Sequence, residues 1–296
     1  MSLVIVGSIA LDTIETPLGK VEEALGGSAV YGSLAASYFA PTYIVGVVGD
    51  DYPARGIELL RAHKVNLDGL ETRPGKTFRW SGTYRQWNQA DTLSTDLNVF
   101  ADFSPQLPPS CRCCRSLLLA NIHPQLQLQV LDQIESYQWV ACDTMNYWIS
   151  LCPELLTEVI RRVDIVFINE DEIRQYSGLD NVFAAGRQLL GMGVKAVVIK
   201  RGEYGSVTVL PDDLFFAPAW PVEQVQDPTG AGDSFAGGFM SYLATQDQLS
   251  KNAIRNAVRF GTVLAAKNVS AFSVDGLVNL EFSELQHKVH QLRNWA

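Results

Sequence analysis

Five short runs rich in β-branched residues recur along the chain: LVIVG at 3–7, YIVGVVG at 43–49, WVACD at 139–143, DIVFI at 164–168 and AVVIK at 196–200. Each is apolar at consecutive positions, so an extended strand there must bury both of its faces. Strands of that kind belong in a parallel sheet covered above and below. The stretches between them have helical spacing instead. Tyr31, Leu34, Ala35, Tyr38 and Phe39 share a face within 27–39, and Phe235, Gly238, Phe239, Tyr242 and Leu243 do so within 232–244. Strand and helix alternate in this way in doubly wound α/β folds. A chain of 296 residues is long enough to bury one large core of this type. No repeat, low-complexity tract or linker divides it, so a single domain over 1–296 is expected.

One stretch breaks the pattern. In KTFRWSGTYRQW (76–87), Phe78, Trp80 and Tyr84 fall on one face of a strand and Thr77, Arg79, Thr83 and Arg85 on the other. Period two suits an antiparallel strand with one wet side. With a partner hairpin around 9–24, turning at Pro17-Leu18-Gly19, the region 72–103 forms either a small sheet projecting from the main domain or an edge hairpin covering the core.

Composition excludes several functions. A net charge of −9 with no compensating Lys/Arg run disfavours nucleic acid as a partner. The N-terminus MSLVIVGSIALD lacks a basic region ahead of its apolar residues and reads as a first buried strand. No stretch approaches the ~20 apolar residues that span a bilayer. A soluble, cytoplasmic protein without a membrane partner is the expectation. The five cysteines, Cys111, Cys113, Cys114, Cys142 and Cys152, have neither paired CxxC spacing nor a disulfide framework. Reduced thiols are expected, and the spacing argues against CRCC binding a soft metal with His123.

The string DPTGAGDSFAGGF at 227–239 carries the chemistry. Gly230 and Gly232 stand where a loop becomes a helix, and the first amides of a helix are unpaired donors at the positive end of its dipole. Such a terminus accepts a phosphate. Asp233 lies in the first helical turn. A carboxylate there either caps the helix or acts as a general base for an alcohol attacking a phosphoryl group. The stretch has no P-loop Lys-Ser/Thr, and no GxGxxG follows the first strand, so those two nucleotide folds are disfavoured.

DPTGAGDSFAGGF closely resembles the C-terminal signature of the ribokinase, or PfkB-type, carbohydrate kinases. LGGSAVYGSLAAS (25–37) resembles their double-glycine motif. GSIALD (7–12), NEDE (169–172) and KRGEYG (200–205) fall in the family's order. The resemblance runs from about residue 3 to 275. It implies a ribokinase-like three-layer α/β sandwich, with a mostly parallel central sheet and a small β lid inserted at about 9–24 and 72–103.

Carried onto this sequence, the resemblance makes Asp233 the catalytic base. The amides of Gly230, Ala231 and Gly232 become the anion hole. Asp12 would bind acceptor hydroxyls, its alternative being a turn-initiating Asp, and Gly26 and Gly27 would let the acceptor lie against backbone. Asn169 and Glu172 match the motif that orders Mg²⁺, while also having the spacing of a capping box. Lys200, Gly202, Gly205 and Thr229 would line ATP, and some relatives bind a monovalent cation (K⁺) near the 256–274 segment. Two positions depart from ribokinase: Ala10 and Tyr31 stand where asparagines are common, which argues against ribose itself. Tyr31, Arg79, Asn121, His123 and Asn146 are candidates for replacement contacts to the acceptor, against surface or core roles.

These residues point to ATP- and Mg²⁺-dependent phosphorylation of a hydroxyl on a small sugar or polyol. Myo-inositol and nucleosides are the alternative acceptors, and a catalytically silent metabolite-binding protein is the alternative of a different class. A dehydrogenase is disfavoured by the lone glycine after the first strand. Relatives often pair through their lids, and the face formed by Phe78, Trp80 and Tyr84 suits either such a homodimer or the lid's own packing.

Overall fold

Alternate residues of the strand Leu3–Val6 bury into different cores. Leu3 and Ile5 join one apolar cluster, Val4 and Val6 another, and none of the four meets solvent. Ile165 and Phe167 against Val166 and Ile168 repeat the division, as do Ala196 and Val198 against Val197 and Ile199. A sheet with an apolar core on each face has three layers. It is seen here in a computed structural model that describes residues 2–87 and 89–295.

The large sheet has nine strands: β1 (Leu3–Val6), β4 (Thr42–Gly49), β5 (Asn66–Arg73), β8 (Ser116–Leu119), β9 (Trp139–Asp143), β10 (Ile165–Asn169), β11 (Ala196–Lys200), β12 (Ser206–Leu210) and β13 (Asp213–Ala217). Their spatial order is β13-β12-β11-β10-β9-β8-β1-β4-β5. Pairing is parallel from β5 across to β11, and β12 alone runs the other way, antiparallel to both β11 and β13. The helices Ser28–Ala36, Ala231–Ala244 and Lys251–Asn268 cover one face, and Pro124–Leu131, Pro153–Arg161 and Val182–Leu190 the other.

A second sheet holds four strands, β2 (Ala10–Thr16), β3 (Gly19–Gly26), β6 (Phe78–Gln86) and β7 (Gln89–Asp96), in the order β3-β2-β6-β7. It is separate from the edge of the large sheet and is tied to it by polar contacts. Thr77 donates both its amide and its hydroxyl to Asp51 Oδ1 at 2.7 Å, and the Gly49 amide donates to Thr77 Oγ1 at 3.0 Å. Arg79 spans Glu23 and Asp51, its guanidinium within 2.8 Å of each carboxylate. Arg79 therefore braces the small sheet, and its nitrogens are occupied by carboxylates and by Thr77 O instead of facing an acceptor.

The helices Ser28–Ala36 and Ala231–Ala244 cross at glycines. A Cβ on Gly237 would lie 2.2 Å from Gly32 O, a distance no real contact tolerates. This close crossing holds the N-termini of both helices at one end of the sheet. Gly237→Ala is expected to push the helices apart and destabilise the protein by about 1–3 kcal/mol. A lowered urea midpoint with an unchanged m-value would show this, and an unchanged midpoint would contradict it.

Candidate active site

Ligands of open α/β sheets gather beyond the carboxyl ends of the parallel strands. Here those ends deliver Asp143 from β9, Asn169 from β10 and Lys200 from β11, while the chain leaving β1 runs through Gly7 to Asp12 in β2. The helix beginning at Ala231 points its N-terminus at the same place.

Gly230 is the N-cap of that helix and has φ +75°, with its Cα set against the Tyr31 ring so closely that a Cβ would fall 2.3 Å from it. A left-handed residue in so tight a space must be glycine. Gly230 has no side chain with which to cap the helix, and the Asp233 carboxylate in the first turn interacts with its own amide. Among the described residues, the amides of Gly230 and Gly232 have no protein acceptor. The Ala231 amide, expected beside them, donates to Pro228 O at 3.2 Å. Of the three amides expected to form the anion hole, two are free.

Lys200 lies across this terminus. Its ammonium donates to both oxygens of Asp143, at 2.8 and 2.7 Å, and sits 3.0 Å from where a Cβ of Gly232 would be. The pair is nearly buried, with side-chain exposures of 18% for Lys200 and 4% for Asp143. Burial alone would lower the lysine, but Asp143 and Glu172 outweigh it and raise its pKa. Lys200 thus belongs to the centre of the site, apart from the turn of Gly202 and Gly205, which packs on the backbone of 217–219. Asp143 was missed from the sequence. Its place at the end of WVACD, a strand already assigned to the parallel sheet, was the available signal.

Burial pushes the Asp233 carboxyl up to about 7, with the Asp143 charge adding to the effect and Lys200 opposing it. Glu172 is likewise raised to about 7 by burial. Its Oε2 accepts from the Asn169 amide while Asn169 Oδ1 accepts from the Glu172 amide, each at 2.8 Å, so the capping box is present. That box uses one oxygen of each side chain, leaving Glu172 Oε1 and the Asn169 side-chain amide for another partner.

Asp12 is 4% exposed, and burial, then the Asp227 charge, pushes it up to about 8. Its carboxylate lies against Gly26, and the Gly27 amide interacts with it. Tyr31 is buried beside it, and its hydroxyl has no partner among the described residues. Its ring is the support beneath Gly230 rather than a surface on which a ligand stacks.

Other expected residues are engaged within the protein. Asn121 Oδ1 accepts from Trp148 Nε1 at 2.9 Å, and its side-chain amide contacts Met145 Sδ. His123 Nδ1 accepts from the Gln125 amide as a helix cap, and its ring meets Trp148 edge-on at 4.9 Å. Asn146 is exposed at the start of the helix Asn146–Leu151. Together they support an aromatic rim, Tyr147 and Trp148, joined to the floor by Ser28, whose hydroxyl donates to Asn121 O. Thr229 is held on every side: its amide donates to Asp227, its carbonyl accepts from Asn268 and its hydroxyl donates to Tyr84. Each of its polar groups makes a bond within the protein.

The donor set fits Mg²⁺ and a polyphosphate. Among the described residues no group of three or more His, Cys, Asp or Glu side chains could enclose a metal ion. Mg²⁺ keeps most of its waters and needs only one or two carboxylates plus phosphate oxygens. Two unpaired amides and an ammonium beside them suit the phosphate.

Comparisons with known proteins give the family and the fold. The model of the pfkB family of carbohydrate kinases matches residues 2–278. A cytidine kinase of Thermococcus kodakarensis is 31% identical over 247 residues, which is 81% of this chain and 88% of that protein. The fold is that of a Vibrio cholerae fructokinase solved with fructose, ADP and calcium ion, with TM-score 0.82, 18% identity, and 97% and 98% of the two chains covered. It is equally that of a Methanocaldococcus jannaschii nucleoside kinase of the ribokinase family, with TM-score 0.78, 20% identity, and 98% of each chain covered. The chain belongs to the pfkB family of carbohydrate kinases, has the ribokinase fold and is a phosphotransferase. Its relatives act on sugars or nucleosides. No helix among the described residues is long and apolar enough to cross a membrane.

The raised carboxyls have a thermodynamic consequence. A folded-state pKa of about 8 for Asp12, against ~4 unfolded, means that its contribution to stability is full below pH ~4 and is lost as pH rises through 8. Asp12→Asn removes that loss. In thermal melts without ligand, the variant is expected to gain on the wild type between pH 5 and pH 8 and to level off above that. A melting difference independent of pH would contradict the assignment.

Proposed function

We propose that the protein transfers the γ-phosphoryl group of ATP to a hydroxyl of a ribonucleoside. The nucleoside reading rests on the sequence likeness to the archaeal cytidine kinase, which extends over most of both chains. The aromatic rim of Tyr147 and Trp148 beside the acceptor floor supports it, because a nucleobase needs an apolar, aromatic surface that a bare sugar does not.

In this reading Asp12 accepts hydrogen bonds from the acceptor's hydroxyls and fixes its orientation. Donation by a diol to the buried carboxylate replaces the lost water and favours its ionised form. Asp233 takes the proton of the attacking hydroxyl as the new bond from oxygen to the γ-phosphorus forms. The bond between that phosphorus and the bridging oxygen of ATP breaks, and ADP leaves with the electron pair. The amides of Gly230 and Gly232 and the Lys200 ammonium receive the charge on the phosphoryl oxygens. Asp143 fixes Lys200 for that task. Asn169 and Glu172 would hold Mg²⁺, through water or directly, and the ion would neutralise charge on the ATP phosphates.

A carboxyl near 7 is suited to the role of base, since such a group is substantially ionised at working pH and still accepts a proton effectively. A silent binding protein has no need of this tuning. Acceptor-dependent ADP release should be measured with nucleosides, pentoses, hexoses and inositols. Nucleosides are expected to give the highest kcat/KM, with Asp233→Asn lowering kcat by ~10² to 10⁴ without lowering the melting temperature. Stimulation by free sugars alone would reject the nucleoside assignment. An Asp233→Asn variant with wild-type kcat would reject the base.

A further inference from the structure

The ladder between β10 and β11 stops at the pair Asn169 and Lys200. Two ion pairs stand at that end of the sheet. Lys200 and Asp143 form the one inside the site. The other is made by the residues that follow the last ladder pair. Arg201 Nε donates to Glu170 Oε2 at 2.8 Å, and Glu170 Oε1 accepts from Arg174 Nη2 at 2.6 Å. The side chains of Arg201, Glu170 and Arg174 are 31%, 23% and 39% exposed. Arg201 and Glu170 line a cavity together with Val182 and Phe183, at the start of the helix Val182–Leu190, on the face of the sheet away from Ala231.

Both chain segments carry the machinery of transfer immediately beside this pair. Glu170 lies between Asn169 and Glu172 in sequence and opens the helix Glu170–Ser177. Arg201 follows Lys200, and its own amide turns back to Gly205 O at 2.8 Å, so it makes no ladder bond to β10. Alignment of the two segments past Asn169 and Lys200 therefore passes to side chains. With a guanidinium on each of its oxygens, Glu170 is committed to this outer contact, whereas Glu172 keeps Oε1 for another partner.

We propose that Arg201 is a positioning residue that sets the place of the metal motif, Asn169 and Glu172, relative to the Lys200 ammonium, through its ion pair with Glu170. The inference rests on the roles given above to those three residues. An ion held by Asn169 and Glu172 and the ammonium of Lys200 must meet one polyphosphate, so a shift of one strand end against the other lengthens one of the two contacts. Loss of such contacts weakens the joint binding of metal and nucleotide and leaves the acceptor's own contacts intact. The size of the effect is bounded. A partly exposed ion pair shifts an equilibrium by no more than about fivefold. That is too little to unfold a domain of this size, and enough to read in metal binding.

The measurement is the binding of Mn²⁺ in the presence of ADP, followed by the EPR signal of the free ion against ADP alone, together with the Mg²⁺ concentration that gives half-maximal rate. Arg201→Gln is expected to weaken Mn²⁺ binding about three- to fivefold and to raise the Mg²⁺ requirement by the same factor, with KM for the acceptor and the melting temperature close to wild type. Glu170→Gln should do likewise. The double variant should be no worse than Glu170→Gln alone, since both remove one interaction. Arg201→Lys keeps a cation within reach of Glu170 and should recover most of the loss. Unchanged Mn²⁺ binding in both single variants, or losses that multiply in the double variant, would overturn the positioning role. So would a fall in melting temperature with a matching rise in acceptor KM, which is the mark of general loosening. Wild-type protein that binds no Mn²⁺ beyond that held by ADP would overturn the metal assignment and this inference with it, whereas a binding wild type with unaltered variants overturns only the inference.

Discussion

Removal of water from a group of like charges is the condition on which the site depends. Asp143, Glu172 and Asp233 converge on a single ammonium, Lys200, and Asp12 lies buried against Asp227 nearby. One cation stands among three carboxylates there, and burial is the first cause that raises Asp12, Glu172 and Asp233, with the charge of Asp227 at Asp12 and of Asp143 at the other two adding to it. The same deficit of positive charge is a capacity to receive cations. A divalent ion at Glu172 would relieve the repulsion, and a hydroxyl at Asp12 would replace missing water.

The fold maintains this arrangement by close contacts of backbone. The Gly32–Gly237 crossing brings two helix N-termini to the carboxyl ends of the strands, and the Tyr31 ring beneath Gly230 fixes the loop that precedes the second helix. Burying carboxylates next to one another is destabilising, and a site of this kind is offset by the two large cores on either face of the sheet. Stability and chemistry are thereby separated in space: the cores flank the middle of the strands, and the charges gather beyond their ends.

Much of this was legible in the sequence. Strands buried on both faces declare themselves by uninterrupted β-branched runs, so β1, β4, β9, β10 and β11 were readable. The polar edge strand β5 and the four-residue β8, preceded by CRCCR, were not, since neither has enough apolar residues in a recognisable period. Helix starts at Ser28 and Ala231 followed from the glycines. Motif residues Asp12, Asn169, Glu172, Gly230, Gly232 and Asp233 come together at one end of the sheet. What escaped were partners across the chain. Asp143 pairs with a lysine 57 residues away and Tyr84 with a threonine 145 residues away, and no local pattern encodes either. Arg79, Asn121 and His123 were candidates for the acceptor because polar residues near strand ends attract such roles, and Thr229 was placed at ATP by the resemblance. Each is held instead by protein partners, which sequence periodicity does not reveal.

The central claim is that Asp233 is a desolvated base with a pKa raised far above that of an ordinary carboxylate. Its most direct test is the pH dependence of kcat at saturating acceptor and Mg-ATP, between pH 5 and pH 9, where Asp12 and the metal-binding carboxylate are already occupied. Protonation blocks a base, so the rate should climb with pH through one ionisation near 7 and then level off. A rate that is already maximal and flat from pH 5 upward would mean that the proton is taken by a group with an ordinary carboxylate pKa, and would contradict the account.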